Sequence, residues 1–172
     1  ANSKSGGGSA TVAAAPAAAA AAAGGRCTTE LARCRKDVVY FVDTYGWNYD
    51  PRELESEMRF ALFPRQREFL QWVAQREAQQ EDGIAEKCRD VGFTWLCCAY
   101  AVHGWLFRNG FRCGFGSRKL ELVDKLGDPG SIFQKMRFFL DHLPEWMVPQ
   151  TYAADYCKIV NHDNGATLSG EG

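Results

Sequence analysis

The apolar positions between residues 94 and 115 change their spacing once, and this change predicts a helix followed by a strand. Residues 94–108 are apolar on nearly every side of a helical wheel, as expected of a helix packed in a core. Asn109-Gly110 is a typical helix stop. Over 111–115, bulky apolar residues alternate with Arg or Gly, which is the period of a β-strand. We therefore expect a buried helix at 94–108 and a strand after it.

Two further segments carry apolar residues at helical spacing. The first begins near Arg65, directly after Pro64, a residue that suits the first turn of a helix. The second covers residues 131–143 and opens with Ser131 and Gln134, which have the spacing of a capping box. Both segments are predicted to pack one apolar face against the core.

Three other segments are predicted to contribute strands. Residues 27–42 read as a short helix that continues as an apolar, strand-like run. Residues 84–87 should form a strand, although Glu86 interrupts its apolar pattern. Residues 156–168 read as a hairpin with a tight turn at Asn164-Gly165. The order strand, helix, strand between residues 84 and 115 implies a right-handed parallel crossover.

The segment Lys87-Cys88-Arg89-Asp90-Val91-Gly92-Phe93-Thr94, between the predicted strand and helix, has the layout of a phosphate-binding loop. The usual P-loop reads G-x-x-x-x-G-K-[ST]. On that pattern Gly92 takes the second glycine position and Thr94 the hydroxyl position. Lys87 stands at the first glycine position and Phe93 at the usual lysine position, so the cation has moved to the front of the loop.

A nucleotide site at this segment needs backbone N–H groups around the phosphates and a helix N-terminus facing their charge. Gly92 would let the backbone come close, and Thr94 would bind Mg²⁺. Lys87 or Arg89 would supply the cation if its side chain folds back over the loop. The alternative is an ordinary strand-to-helix turn, and the spacing alone does not exclude it.

Three more side chains are candidates for ligand contacts. Gln66 lies in the first turn of the helix near Arg65, where an amide can both donate to and accept from an adenine edge. Its alternative is a solvated residue on an amphipathic helix. Arg118 and Lys119 follow the carboxyl end of the strand at 111–115, where ligands bind in open α/β sheets. They could contact phosphate of a nucleotide or of DNA, or form a solvated cationic loop.

Composition divides the chain of 172 residues into two parts. Residues 1–25 are rich in Gly, Ser and Ala and are predicted to be disordered or a linker, whereas 26–172 have the apolar content of one folded domain. Lys4 and Arg26 are the charged residues of the first 26, which leaves 18 basic and 21 acidic residues elsewhere. That balance is not the strongly basic character of a protein that grips DNA on its own.

Cysteine usage and hydropathy restrict the compartment. The chain has seven cysteines, an odd number without a C-x-x-C pair, which favours free thiols in a reducing compartment over disulfides or zinc. It contains no run of about 18 uninterrupted apolar residues, so no membrane span is expected.

Several stretches, in a consistent order, resemble the large terminase subunit of tailed bacteriophages, the motor ATPase that packages DNA. Residues 63–70 resemble the Gln motif that reads adenine, and 87–94 resemble the family's deviant Walker A loop, in which the lysine stands at the start. The other similar stretches are 37–52 ahead of the ATPase core, 116–128, 135–137 and 143–146 after the second strand, and 161–172 on the approach to Walker B.

This resemblance implies an α/β fold, a P-loop NTPase core of the RecA-like (ASCE) type with a parallel sheet, incomplete at its C-terminus. It implies ATP and Mg²⁺ as cofactors, bound by Gln66, Lys87, Arg89, Gly92, Phe93 and Thr94. The expected activity couples ATP hydrolysis to translocation of double-stranded DNA into the procapsid. The expected partners are the portal protein, the small terminase subunit and further copies in a ring, in the cytoplasm of the bacterial host.

The resemblance also has a gap. The family's Walker B strand, coupling motif and nuclease domain have no counterpart in these residues, and neither Asp43 nor Asp163 is a convincing replacement for the missing carboxylates. The catalytic residues therefore stay unknown. Two alternatives remain open: a non-catalytic module that docks on the portal or the small terminase subunit, and another P-loop NTPase such as a helicase fragment or a small kinase.

Overall fold

The computed structural model describes residues 27–172. The prediction of a disordered or linker segment at 1–25 lies outside the described residues. In chain order the elements are α1 (27–36), α2 (Val38–Tyr45), β1 (Trp47–Tyr49), β2 (Glu57–Arg59), α3 (Pro64–Gln79), α4 (Phe93–Phe107), β3 (Arg112–Gly116), α5 (Leu120–Val123), α6 (Ile132–Asp141), β4 (Tyr152–Asp155), β5 (Lys158–Asn161) and β6 (Thr167–Glu171).

The chain is a mixed α/β protein whose main sheet has four strands in the order β3-β6-β5-β4. β3 and β6 run parallel, with Arg112 opposite Thr167 and Gly116 opposite Glu171. The β5–β6 and β4–β5 pairs are antiparallel, and β1 and β2 form a separate antiparallel ribbon. The expected α/β class with parallel strands is thus confirmed in its coarse form, although the sheet is mixed rather than parallel.

Helix α4 is the centre of the core. It contacts α2, α3, α6 and β6, which is why its sequence is apolar all round. Trp105 is fully buried, and Phe41 of α2 packs against Phe107 with ring centroids 5.6 Å apart. His103 is buried in the same helix, with its Nε2 2.9 Å from the Cys34 carbonyl oxygen, and burial lowers the pKa of His103 to about 4. It is a neutral core histidine.

The strand-like run predicted before residue 42 is wrong, because residues 38–45 form α2. Asp37 caps this helix by accepting a hydrogen bond from the Tyr40 N–H at 3.0 Å. Val38, Phe41 and Val42 are buried at helical spacing, so tertiary packing overrides the β-propensity of the valines. Short apolar runs cannot be assigned to helix or strand by periodicity alone.

The strand predicted at residues 84–87 is also absent. Residues 81–88 have no regular structure and are exposed, and the Ile84 side chain is 97% accessible. The segment is polar and no strand of the described chain pairs with it, so nothing stabilises an extended conformation there. Consequently α4 is not the crossover between two parallel strands. The parallel strands of the main sheet, β3 and β6, are connected instead through α5, α6, β4 and β5.

The C-terminal hairpin is confirmed and has one strand more than predicted. β5 and β6 flank the Asn164-Gly165 turn, where Gly165 has φ +73°. Strand β4 pairs with β5 ahead of them. The predicted capping box at the start of α6 does not form: the Ser131 hydroxyl donates to the Asp128 carbonyl at 3.0 Å, and the Gln134 side chain accepts from the Gly127 N–H at 3.1 Å.

Within residues 27–172, no helix combines the length and the apolar composition that crossing a bilayer requires. All seven cysteines are free thiols; Cys34 and Cys98 are buried, Cys88 is exposed, and the other four are half-buried.

Candidate functional site

The two ends of α4 are finished differently, and the predicted phosphate-binding loop lies at the end that has no side-chain cap. At the C-terminal end, the Asn161 and Asn164 side-chain amides donate to the Trp105 carbonyl at 3.0 and 2.9 Å. At the N-terminal end, the helix begins after Gly92 with no side-chain cap. The N–H groups of the first turn therefore have no side-chain acceptor from the described chain, and the positive end of the helix dipole is left open.

The loop ahead of α4 turns by means of two residues in the left-handed region. Asp90 has φ +59° and Gly92 has φ +71°. Asp tolerates this conformation better than most residues, and Gly adopts it freely. Arg52, which is held by Asp50 at 2.6 Å, reaches Asp90 with 4.0 Å between the charged groups. Both partners of the Arg52–Asp90 contact are well exposed, so water screens it and it restrains the loop weakly.

Gln66 is the buried contact between α3 and this loop. The residue is only 9% exposed, and its Oε1 accepts from the Phe63 N–H at 2.9 Å. Its Nε2 donates to the Val91 carbonyl at 3.0 Å. Nε2 also lies 3.2 Å from the position that a Cβ on Gly92 would take. The structure thus brings Gln66 and the predicted loop into direct contact.

Lys87 and Phe93, at the two ends of the loop, lie near each other. The Lys87 ammonium lies 5.8 Å from the centroid of the Phe93 ring, which in turn packs on Phe69 of α3 at 4.7 Å. The Thr94 side chain is exposed in the first turn of α4, and Arg89 is exposed in the loop. Lys87 thus approaches Phe93, the first residue of α4, and Arg89 and Thr94 lie near the same helix end because they are its close neighbours in sequence.

Arg118 and Lys119 lie elsewhere. They follow β3 at the edge where the parallel strands β3 and β6 both end, and the Ser117 N–H donates to the Glu171 carbonyl at 3.2 Å. Both cations are exposed. Across residues 27–172 no hydrogen bond or ion pair connects either of them to the loop at 87–94. They belong to the carboxyl edge of the sheet rather than to the end of α4.

The two acidic residues considered as substitutes for the missing motor carboxylates are engaged in other contacts. Asp43 forms an ion pair with Arg67 at 2.7 Å and accepts from the Leu62 N–H, and the hydrogen bond from Arg67 keeps the pKa of Asp43 low. Asp163 accepts from the Thr151 hydroxyl. In the described part of the chain, no group of three or more His, Cys, Asp or Glu residues is arranged to hold a metal ion.

Sequence reasoning missed a cavity of about 320 Å³ between α3, α4 and β3. Its wall includes the aromatic rings of Phe69, Tyr100 and Phe111, and the thiols of Cys97 and Cys113. Burial raises the pKa of Cys97 to about 11 and raises that of Cys113, so both thiols stay protonated and unreactive at neutral pH. No sequence signal pointed here, because these residues come from three elements whose packing is not encoded locally.

Glu77, also on the cavity wall, is held in an ion pair and a hydrogen bond by its neighbours. Its carboxylate accepts from the Arg108 guanidinium at 2.6 Å and from the Tyr100 hydroxyl. Although burial favours the neutral form, these hydrogen bonds hold the pKa of Glu77 below its usual value. It is therefore ionised and paired, and it is not free to act as an acid or base.

Comparison with known protein families and with curated proteins finds no match for this chain.

Proposed function

We propose that this chain is the ATP-binding part of a DNA-packaging motor of the large-terminase type, with ATP and Mg²⁺ at the loop 87–94. The observation that carries the proposal is the open end of α4: Gly92, in a left-handed turn, leads into a helix of 15 residues with no side-chain cap. Free N–H groups and the helix dipole stabilise phosphate at such an end. The terminase-like order of motifs supports the choice of ATP and of a motor.

Each predicted residue has a role in this proposal. Lys87 contacts the terminal phosphates, with Arg89 as a second cation, because both are exposed on the loop. Gly92 allows close approach of the backbone, and Phe93 offers its N–H in the first turn. The Thr94 hydroxyl is the Mg²⁺ ligand, since it is exposed at the same end. When bound, Mg²⁺ would neutralise charge on the bridging phosphates.

The resemblance implies a contact from Gln66 to adenine, although its amide is already bonded to the Phe63 N–H and to the Val91 carbonyl. Its amide is next to the loop and can in principle form two further hydrogen bonds, because an amide has two donor hydrogens and two acceptor lone pairs.

The finer fold prediction, a RecA-like P-loop core, is part of the same proposal. The parallel β3–β6 pair supports it, with Arg118 and Lys119 after the carboxyl end of β3, where they would reach phosphate of the nucleotide or of DNA. One observation weighs against it: the segment entering the loop, residues 81–88, is irregular rather than a strand.

ATP binding is better supported than turnover by these residues. Hydrolysis in a P-loop site requires carboxylates that hold the metal and orient water. Asp43 pairs with Arg67, and Asp163 bonds to Thr151. Within residues 27–172, neither carboxylate contacts the first turn of α4. The proposed partners are double-stranded DNA, the portal protein, the small terminase subunit and further copies in a ring, in the bacterial cytoplasm.

A second candidate function is a docking module that uses no nucleotide and attaches to the portal or the small terminase subunit. The absence, within residues 27–172, of both a strand ahead of the loop and a clustered metal site favours this candidate. The two candidates differ in one property, which is whether phosphate binds at the end of α4.

Titration of the purified chain with a fluorescent ATP analogue, with and without Mg²⁺, separates them. We expect Mg²⁺-dependent binding that weakens about tenfold or more in Lys87→Ala, because a charge-assisted contact to phosphate is lost. Thr94→Ala should remove most of the Mg²⁺ dependence. The matched control is Lys158→Ala, an exposed lysine on β5.

Unchanged affinity in Lys87→Ala would show that the loop assignment is wrong. Absence of binding in the parent chain would favour the docking module. Release of phosphate would show that an acidic residue of this chain acts as a catalytic carboxylate.

A further inference from the structure

We propose that Gln66 is a positioning residue that fixes the loop at 87–92 and that this, rather than base recognition, is its main contribution to ligand binding. Its side chain is bonded on both sides: Oε1 to the Phe63 N–H at 2.9 Å and Nε2 to the Val91 carbonyl at 3.0 Å. One amide thereby connects the start of α3 to the last turn of the loop before α4.

The chemistry of this bridge requires an amide. The Phe63 N–H needs an acceptor and the Val91 carbonyl needs a donor, and a glutamine supplies both from one planar group. A glutamate at neutral pH only accepts, so it would turn an oxygen towards the Val91 carbonyl oxygen. A leucine of similar size would offer neither partner.

Glycine at position 92 completes the arrangement. A Cβ there would lie 3.2 Å from the Gln66 Nε2, which is tighter than an ordinary contact. The absence of that carbon lets the amide sit against the left-handed turn, where Gly92 has φ +71°. Gln66 of α3 therefore fixes the conformation of the loop directly ahead of α4.

Burial also limits what else Gln66 can do. The residue is 9% exposed, and its contacts lie against the loop backbone rather than towards solvent. If the function proposed above is right, this geometry acts on the phosphate end of the nucleotide, which is the same in ATP and GTP. Loss of the Gln66 side chain should then lower the affinities for ATP and for GTP by the same factor.

The test compares Gln66→Glu and Gln66→Leu with the parent chain, using backbone ¹⁵N relaxation of residues 87–92 and the affinities for ATP and GTP. The matched controls are Gln71→Glu and Gln71→Leu, since Gln71 is an exposed glutamine on the same helix. At pH 7.5 we expect both Gln66 variants to show increased motion of the loop. We expect about tenfold weaker binding of ATP and of GTP, with the ratio of the two affinities unchanged.

Acidification gives a readout that a general loss of packing would not produce. A protonated glutamic acid both donates and accepts, so Gln66→Glu should regain an ordered loop as the pH falls towards 5. Burial raises the pKa of a carboxyl above its usual value of about 4.3, which brings this recovery into an accessible range. Gln66→Leu cannot recover, and the Gln71 variants should not change.

Each outcome decides the question. Weaker binding of ATP alone, with GTP unaffected and the loop still ordered, would make Gln66 a base reader and overturn the proposal. A loop as ordered in Gln66→Leu as in the parent chain would also overturn it. If the parent chain binds no nucleotide, the proposed function fails, but the relaxation data and the acid recovery still test whether Gln66 positions the loop.

Discussion

The two ends of α4 differ in whether side chains of the protein bond to the unpaired backbone groups there. At the C-terminal end, Asn161 is 1% exposed and, together with Asn164, donates to the Trp105 carbonyl. At the N-terminal end the first-turn N–H groups have no side-chain cap, and the adjoining loop is exposed. A helix end that the fold closes with its own side chains stabilises the protein, whereas an end left open is available to a ligand.

The comparison also separates where stability and function reside. The C-terminal end is embedded in the sheet, because Asn161 ends β5 and Asn164 lies in the turn before β6. The N-terminal end depends on one buried amide, Gln66, and on a weak exposed contact between Arg52 and Asp90. Changes at the closed end should therefore alter stability, and changes at the open end should alter binding.

The largest effect on stability is expected from Asn161→Ala at the closed end. This change removes a buried hydrogen bond to the Trp105 carbonyl and a half-buried one from the Asp163 N–H. We expect the free energy of unfolding to fall by about 2 kcal/mol, as for loss of buried hydrogen bonds. Denaturant unfolding measures it, and Asn109→Ala, an exposed asparagine beside the same helix end, is the control. Equal stability of the two variants would mean that the Asn161 amide does not close the helix.

An intermediate effect is expected from a matched pair of glycines, Gly92→Ala and Gly110→Ala. Both positions have positive φ, +71° and +64°, so each variant should lose about 1 kcal/mol of stability from backbone strain. Only at Gly92 does the new methyl group meet a neighbour, the Gln66 amide at 3.2 Å, whereas nothing lies within 4 Å at Gly110. We expect nucleotide binding to weaken in Gly92→Ala alone.

Thermal unfolding and nucleotide titration of the two glycine variants provide the measurements. If Gly110→Ala weakened binding as much as Gly92→Ala, the effect would come from strain in α4 as a whole, and the two ends would not be functionally distinct.

The smallest effect is expected from Arg52→Ala. Its pairing with Asp90 spans 4.0 Å between exposed groups that water screens, so the free energy of unfolding should hardly change. The loop should keep its order, because Gln66 still bonds to the Val91 carbonyl. Calorimetry and ¹⁵N relaxation of the loop would check this. A clear gain in loop motion would show that Arg52, and not Gln66 alone, fixes the open end.

The sequence predicted those elements whose own side chains determine them. Helix α4 was predicted within one residue at each end, since 94–108 is apolar all round and Asn109-Gly110 stops it. The helix at Pro64, strand β3 and the β5–β6 turn were likewise predicted from apolar spacing and turn residues. The helix at 38–45 and the irregular segment at 81–88 were not, because packing partners decide both.

The candidate site was predicted as a group of residues but not as a geometry. The P-loop pattern brought Lys87, Gly92 and Thr94 together, and chain continuity guaranteed that they would be close. The contact between Gln66 and the Val91 carbonyl joins residues 25 apart in sequence, and no local pattern predicts it. The role of the asparagines at the other helix end was missed for the same reason, since they reach α4 only through the folded sheet.

The accessible thiol of Cys88 has a practical consequence. It is the exposed one among the seven cysteines, and it stands next to Lys87, whereas the other six are buried or half-buried. A maleimide dye should therefore attach there first, without removing any native cysteine, and its emission would report a ligand that binds at the loop 87–94. One natural side chain thus allows binding at this region to be followed by stopped-flow fluorescence.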